Sequence, residues 1–274
     1  MAGVLLWPSP SGSLPREHIA RDGSRMVLVQ AGAYLMGPPP GREIYLDPFY
    51  IDEREITQEQ FRAFVVDVGN SPPVLRGLQA KPYAWTAGRF PAGLREHPVV
   101  GVTWEDARSY CLWARKRLPT EAEWEKAARG PEGRTYPWGS LWKAARLNSA
   151  ELWAGHAIER LKDYDRFYWW PYKGKWEGRV VQTKPVGSFP AGASPYGALD
   201  MAGNAAEWVA DWFGRNYPLS GPSRNPPGPA SGTERVVRGG AYPDPRWKVT
   251  TTFRDKADPG RRLPAVGFRC ARSP

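Results

Sequence analysis

The sequence predicts a loop-rich fold that mixes short strands with capped helices, and three observations predict it. Gly and Pro contribute 29 residues each to a chain of 274, below the level of low-complexity chains but enough to keep regular elements short. Fourteen tryptophans point to a core in which aromatic side chains supply much of the buried area. Capping boxes recur beside runs of β-branched and apolar residues, so helix and strand signals follow one another along the chain. The length suits one large domain or two small ones. No linker and no repeat of fixed period divides it, and the expected organisation is an irregular lead-in over 1–25 and one domain over 26–274.

Taken in order, MVLVQAGAYLMG from Met26 predicts a strand pair, and EIYLDPFYIDEREIT predicts a second extended segment. Thr57 with Gln60 forms a T-x-x-Q box that opens a helix with Phe61, Phe64 and Val65 on one face. Residues 69–97, rich in Pro, Gly and Arg, read as a long loop. Thr103 caps WEDARSYCLWARKR, where Ala107, Tyr110, Cys111 and Ala114 recur at helical spacing and predict a buried face. Pro119 is expected to end that element. Thr120 with Glu123 opens EAEWEKAAR, and Gly130 stops it. Residues 131–195 read as mostly irregular. They include the aromatic and cationic stretch from Asp165 to Trp176, read as a loop packing its own aromatics. Beyond 213 the chain is loop and short strand, with KVTTTFR and AVGFRCAR as strand candidates.

The formal charge of +10 comes from arginines and lysines spread along the chain. No Lys/Arg-rich run marks a nucleic-acid footprint, and a solvated basic surface is the reading. No stretch of 18 apolar residues is present, so no membrane span is expected. The start lacks a basic n-region and is broken early by proline, which gives a cytoplasmic expectation. Two cysteines cannot form a disulfide framework, and three scattered histidines show no metal-ligand spacing. In DMAGNAAEWVADWF, an acid, a Gly-Asn turn and a second acid, Glu207, precede a buried-looking tryptophan.

MVLVQAGAYLMG, EITQEQFRAFV, HPVVGVTWEDARSYCLWARKRLPTEAEWEKAARG, YPWG, KPVGSFPAGASPYGALDMAGNAAEWVADW, RVVRGGAY and VGFRCAR occur in that order. From about Met26 to Arg272 the chain closely resembles the formylglycine-generating enzyme, or sulfatase-modifying factor, family. The resemblance implies an α+β fold of the C-type lectin kind, with a few helices around short antiparallel sheets. It also implies structural calcium at the opening motif, with side-chain oxygens from Asp200 and Glu207 and backbone carbonyls from Gly203 and Ala205. Calcium takes six to eight such hard oxygens. Asn204 reads as a hydrogen-bonding turn residue. A second family calcium site would begin at Asn148 and Ser149 and take Asp165 and Phe167, although the chain onward to KPVGS is longer than in relatives. Cys111 and Cys270 match positions that relatives can join. They are expected to be neighbours, either bridged or a buried thiol pair, with the reduced pair expected in a reducing cytosol.

The family enzyme oxidises a substrate cysteine to formylglycine with Cu(I) held by two cysteines. Thiolates suit that ion because they are soft. The matching positions here are Asp244 and Val249, and the family serine is Ala241. No copper is therefore expected. The resemblance then implies a non-catalytic module for an unidentified protein or small-molecule ligand, with a surface like that of the variable proteins of diversity-generating retroelements. Its candidate residues are Tyr242, Pro243, Asp244, Pro245, Arg246, Arg261, Leu263, Pro264 and Ala265. The alternative is an oxidase or oxygenase of the superfamily with non-copper chemistry, in which Asp244, Tyr242 or Glu234 moves a proton.

Overall fold

Alternation of buried and exposed residues builds the N-terminal strands. In the computed structural model, which describes residues 14–75, 78–169, 181–217 and 220–274 (side chains excepted at 78–80 and 166–169), three sheets form. β1 (Glu17–Ile19), β2 (Arg25–Val29), β5 (Phe49–Asp52) and β10 (Ala271–Arg272) make an antiparallel sheet in the order β1-β2-β5-β10. β3 (Gly32–Met36) and β4 (Arg42–Leu46) make a two-stranded sheet that turns Tyr34, Met36, Ile44 and Leu46 inward. β6 (Ala206–Trp212), β7 (Arg235–Arg238), β8 (Arg254–Ala257) and β9 (Val266–Phe268) make the third, in the order β8-β7-β6-β9, with β6 and β9 parallel. The stretch from Met26 thus holds two strands, but they enter different sheets rather than pairing with each other.

The helices start where their caps predict. Thr57, Thr103 and Thr120 each complete a capping box, at α1 (Gln58–Val68), α2 (Trp104–Trp113) and α3 (Glu121–Arg129). α2 ends well before Pro119, because Arg115 turns left-handed at φ 59°. That turn sends the buried Lys116 ammonium between Asp22 and Asp52, at 2.7 and 2.9 Å. Two further helices, α4 (Ala150–Ala154) and α5 (Leu161–Trp169), stand in the region read as irregular. KVTTTFR is not a strand. The carbonyls of Thr251, Thr252 and Phe253 accept from the Arg238 guanidinium, so they are spent on a side chain instead of a ladder. The strand is β8, immediately after.

One core cluster packs α1 and α2 against β6 and β9 through Phe61, Phe64, Tyr110, Trp208 and Phe268. A second holds α3, through Trp124 and Ala127, between β3 and β4 on one side and β6 and β7 on the other. Trp124 and Trp208 are fully buried, each contributing on the order of a few kcal/mol of apolar burial. Cys111 on α2 and Cys270 beside β10 are joined by a disulfide within the first cluster. The bridged alternative therefore holds, and the reduced expectation is corrected: the fold brings the two Cα atoms to 5.7 Å, a span that a disulfide bridges.

Candidate functional site

The DMAGNAAEW segment makes a tight turn into β6. Asp200, Gly203 and Asn204 all have positive φ, at 55°, 73° and 60°. A Cβ on Gly203 would stand 2.2 Å from the Asn148 carbonyl oxygen, so the backbone approach requires glycine. Asn204 is the hub, as its hydrogen-bonding role predicted. Its Oδ1 accepts from the Lys184 amide at 2.8 Å and from Asn148 Nδ2 at 3.1 Å. Its Nδ2 donates to Glu55 Oε2 at 2.7 Å. Glu55 also accepts from the Ala205 amide at 2.8 Å.

Behind the turn, buried Arg269 donates to Glu207 at 2.7–2.9 Å and to the Leu199 carbonyl at 2.8 Å. Trp124 Nε1 donates to Glu207 Oε2 at 2.7 Å. Burial, reinforced by Asp200 and Glu207, pushes the Glu55 carboxyl well above its usual range. Burial also raises Asp200, against the Gly187 amide that donates to it at 2.6 Å. Of these three buried acids only Glu207 is hydrogen-bonded to Arg269, while Glu55 and Asp200 act on the guanidinium through their field. Asp200 and the Gly203 and Ala205 carbonyls are hard oxygens of the kind calcium takes, three against the six to eight it needs. Glu207 fits less well, since Arg269 and Trp124 already occupy both its oxygens.

The second calcium set does not fit. Asn148 is buried, its Oδ1 accepts from Trp153 Nε1 at 2.7 Å, and its Nδ2 donates to Asn204 and to the Gln182 carbonyl. Ser149 donates to Glu151 at 3.1 Å. Asp165 is exposed on α5, and the side chain of Phe167 lies outside the described residues. Among the described residues, no group of three or more His, Cys, Asp or Glu side chains is arranged to hold a metal.

The loop from Ala241 to Val249 carries the two positions, Asp244 and Val249, that the resemblance matches to copper ligands. Asp244 Oδ2 accepts from the Ala241 amide at 2.9 Å, and its Oδ1 accepts from the Tyr164 hydroxyl at 3.0 Å. Lys248 lies 3.6 Å from the same oxygen. Burial raises the Asp244 carboxyl, and Lys248 opposes the shift. Val249 is sealed among Tyr136, Leu147 and Ala202, with Trp138 and Trp142 packed outside. Neither position offers a soft ligand.

Of the candidate ligand-binding residues, Tyr242, Pro243 and Pro245 are buried. They support the loop and do not present a surface, which corrects their assignment as contact residues. Asp244, Arg246, Leu263, Pro264 and Ala265 are half-buried, and Arg261 is exposed. Tyr242 and Ala265 meet in one cluster with Tyr83, Trp153 and Tyr164. Glu234 is ion-paired with Lys256 at 2.6 Å. Of the aromatic and cationic stretch, the first residues end α5 and the remainder lies outside the described residues.

Three partners were not found from the sequence. Glu55 sits in the charge-dense EREIT, where it looks like one more solvated acid. Glu151 accepts from the Arg246 amide at 2.8 Å, and Tyr164 reaches Asp244 across 80 positions. Tyr164 stands among Lys162, Asp163, Asp165 and Arg166, and only its helical spacing from Leu161 offered a signal. A cleft of about 410 Å³ along Arg54, Glu55 and Thr57 shares no lining residue with the 241–249 loop. No described helix is long and apolar enough to cross a membrane.

Comparison with known proteins follows the same lines. Residues 12–274 match the family described as Sulfatase-modifying factor enzyme 1-like domain. The chain is 35% identical over 315 residues to the formylglycine-generating enzyme of Streptomyces coelicolor, covering 96% of this chain and 95% of that protein. It is 31% identical over 318 residues to the mouse protein named inactive C-alpha-formylglycine-generating enzyme 2, covering 98% and 92%. Among solved structures, PvdO from Pseudomonas aeruginosa aligns with a TM-score of 0.72 at 24% identity, over 96% of this chain and 100% of that one. Treponema denticola variable protein 1 aligns with a TM-score of 0.65 at 22% identity, over 95% and 100%. These two likenesses concern the fold alone.

Proposed function

Given that the chain belongs to the sulfatase-modifying factor enzyme 1-like family, we propose that it is a non-catalytic member, a binding module whose ligand seat is the 241–248 loop together with 261–265. One observation carries the reading. Where the family enzyme would hold Cu(I) with thiolates, this chain has a carboxylate bonded to its own Tyr164 and an aliphatic side chain sealed in a core cluster. The two cysteines are bound to each other elsewhere. A soft d¹⁰ ion finds no soft donor there. The mouse relative named inactive supports the idea that this scaffold is used without the family's chemistry. The burial of Tyr242, Pro243 and Pro245 narrows the ligand surface to the half-buried and exposed residues of the two segments.

The test is to supply Cu(I), oxygen and a cysteine-bearing peptide to the purified protein and to follow metal retention and peptide mass. The expected result is no copper retained against a competing chelator and an unchanged peptide. Formylglycine in the peptide would overturn the reading. An oxidase or oxygenase without copper is a second reading, favoured by the raised Asp244 carboxyl beside Tyr164 and Lys248. Oxygen consumption that survives removal of copper and is lost in Asp244→Asn would establish it.

Calcium at Asp200, Gly203 and Ala205 belongs to the same proposal as a structural ion, supported by the hard oxygens that the tight turn from Asp200 to Asn204 carries. Calcium titration after dialysis against chelator should show one site per chain and a rise in Tm. Asp200→Ala should abolish both, and equal binding by the variant would remove Asp200 from the site.

A further inference from the structure

The 241–248 loop is covered by a segment of the same chain. α4 is fixed: Ala150, Glu151 and Trp153 are buried, the Ala150 amide donates to the Asp244 carbonyl at 3.0 Å, and Glu151 accepts from the Arg246 amide at 2.8 Å. The chain then turns left-handed at Gly155, φ 75°, with open space around that residue. Beyond it, residues 156–165 lie across the loop. Tyr164 donates to Asp244 Oδ1 at 3.0 Å, sets its ring edge-on to Trp247 at 6.0 Å, and lies under the Lys248 ammonium at 5.3 Å. Glu159 lies 3.7 Å from Arg246.

The attachment is narrow. Among the described side chains from 156 to 165, Ile158 and Tyr164 are buried, and Leu161 at the start of α5 is 65% exposed. The Arg160–Asp163 pair is local to the segment and at its surface. Among the described side chains, 156–165 is joined to the body through Ile158, Tyr164 and the exposed Glu159 paired with Arg246, and a helix so held opens at lower free energy than the sheets it rests on. It also conceals the groups a ligand would need: the Asp244 carboxylate, the Trp247 ring and the Lys248 ammonium.

We infer that residues 156–165 form a displaceable cover over the 241–248 loop, hinged at Gly155 and latched by Tyr164, so that ligand and Tyr164 compete for Asp244 and Lys248. The inference rests on the proposed ligand seat only for what the cover conceals. Its opening is a property of the free protein, so its failure and the failure of the binding reading are read in different experiments.

The experiment is hydrogen exchange on the full chain without ligand. Amides of 158–165 should exchange at least ~100-fold faster than those of β6 and β7, because they open without global unfolding. Tyr164→Ala should speed 158–165 and 241–248 by a further ~10-fold or more and leave β6 and β7 unchanged. Tyr164→Phe, which keeps the ring and loses only the bond to Asp244, should give a smaller rise confined to the same peptides, and it stands in if the alanine variant does not fold. Exchange of 158–165 at the rate of β6 and β7 would overturn the inference. So would a rise of equal factor throughout the protein, or no rise in either variant.

Discussion

Replacing Asn204 tests the construction of the site most directly. Asn204→Ala leaves four groups short of a partner: the Lys184 amide, the Lys184 carbonyl, Asn148 Nδ2 and Glu55 Oε2. Asn148 keeps its bond to the Gln182 carbonyl, so its loss is small. The buried Glu55 oxygen is left unsatisfied, which costs about 1–3 kcal/mol, and the amide loses about 1 kcal/mol. Alanine at φ 60° adds roughly 1 kcal/mol, since Asn tolerates the left-handed region better. The total is about 3–5 kcal/mol, a large share of the ~5–15 kcal/mol available to a folded domain. Asn204→Asp keeps the shape and the acceptor toward Lys184, but places an oxygen 2.7 Å from Glu55 where an N–H stood. It should therefore cost at least as much as alanine near neutral pH and recover as acid protonates the pair. The assay is urea unfolding of the three proteins at neutral pH and at about pH 4.5, comparing midpoints at equal slope. A loss below ~1 kcal/mol for alanine, with aspartate milder than alanine at neutral pH, would refute the idea that Asn204 ties the turn to Glu55.

Asp211 offers a pH prediction. Its Oδ2 accepts from the Glu121 amide at 2.7 Å, its Oδ1 has no hydrogen-bond partner among the described residues, and burial, then Glu121, pushes its carboxyl well above the ordinary 3.8. The folded state holds that proton more tightly than the unfolded chain, so stability from this group is complete below 3.8 and falls as pH rises through the raised value. Asp211→Asn should therefore gain on the wild type as pH rises from acid to neutral, and a difference constant across that range would remove Asp211 as the cause. Reducing the Cys111–Cys270 bridge, or replacing both cysteines by Ser, should cost about 2–5 kcal/mol. The two positions are 159 residues apart, and a closure of that length constrains the unfolded chain strongly. Calorimetry with and without reductant checks this, and an unchanged Tm in fully reduced protein would contradict it.

What the sequence made legible follows the range of each interaction. Thr57, Thr103 and Thr120 were readable because a capping box closes within four residues and needs nothing else. Asn204 was readable as a bonding residue because Gly-Asn turns carry their own chemistry. Its partner Glu55 was not, since it stands 149 positions away and looks solvated in EREIT. The strand expected at KVTTTFR failed for a related reason. β-branched composition describes a surface that fits a sheet, but the Arg238 guanidinium takes those carbonyls, and nothing local announces that. The same limit hides the cover. Tyr164 is one aromatic among many, and only the fold places its hydroxyl on Asp244. A thiolate at 244 would serve an approaching substrate, whereas a carboxylate there serves a hydroxyl from the chain's own helix. Val249 is buried in a separate cluster with Tyr136, Leu147 and Ala202. Once residue 244 is bonded from within, access to the loop becomes a question of how readily α5 leaves it, and selection on binding would act on Tyr164 and Gly155 as much as on the loop itself.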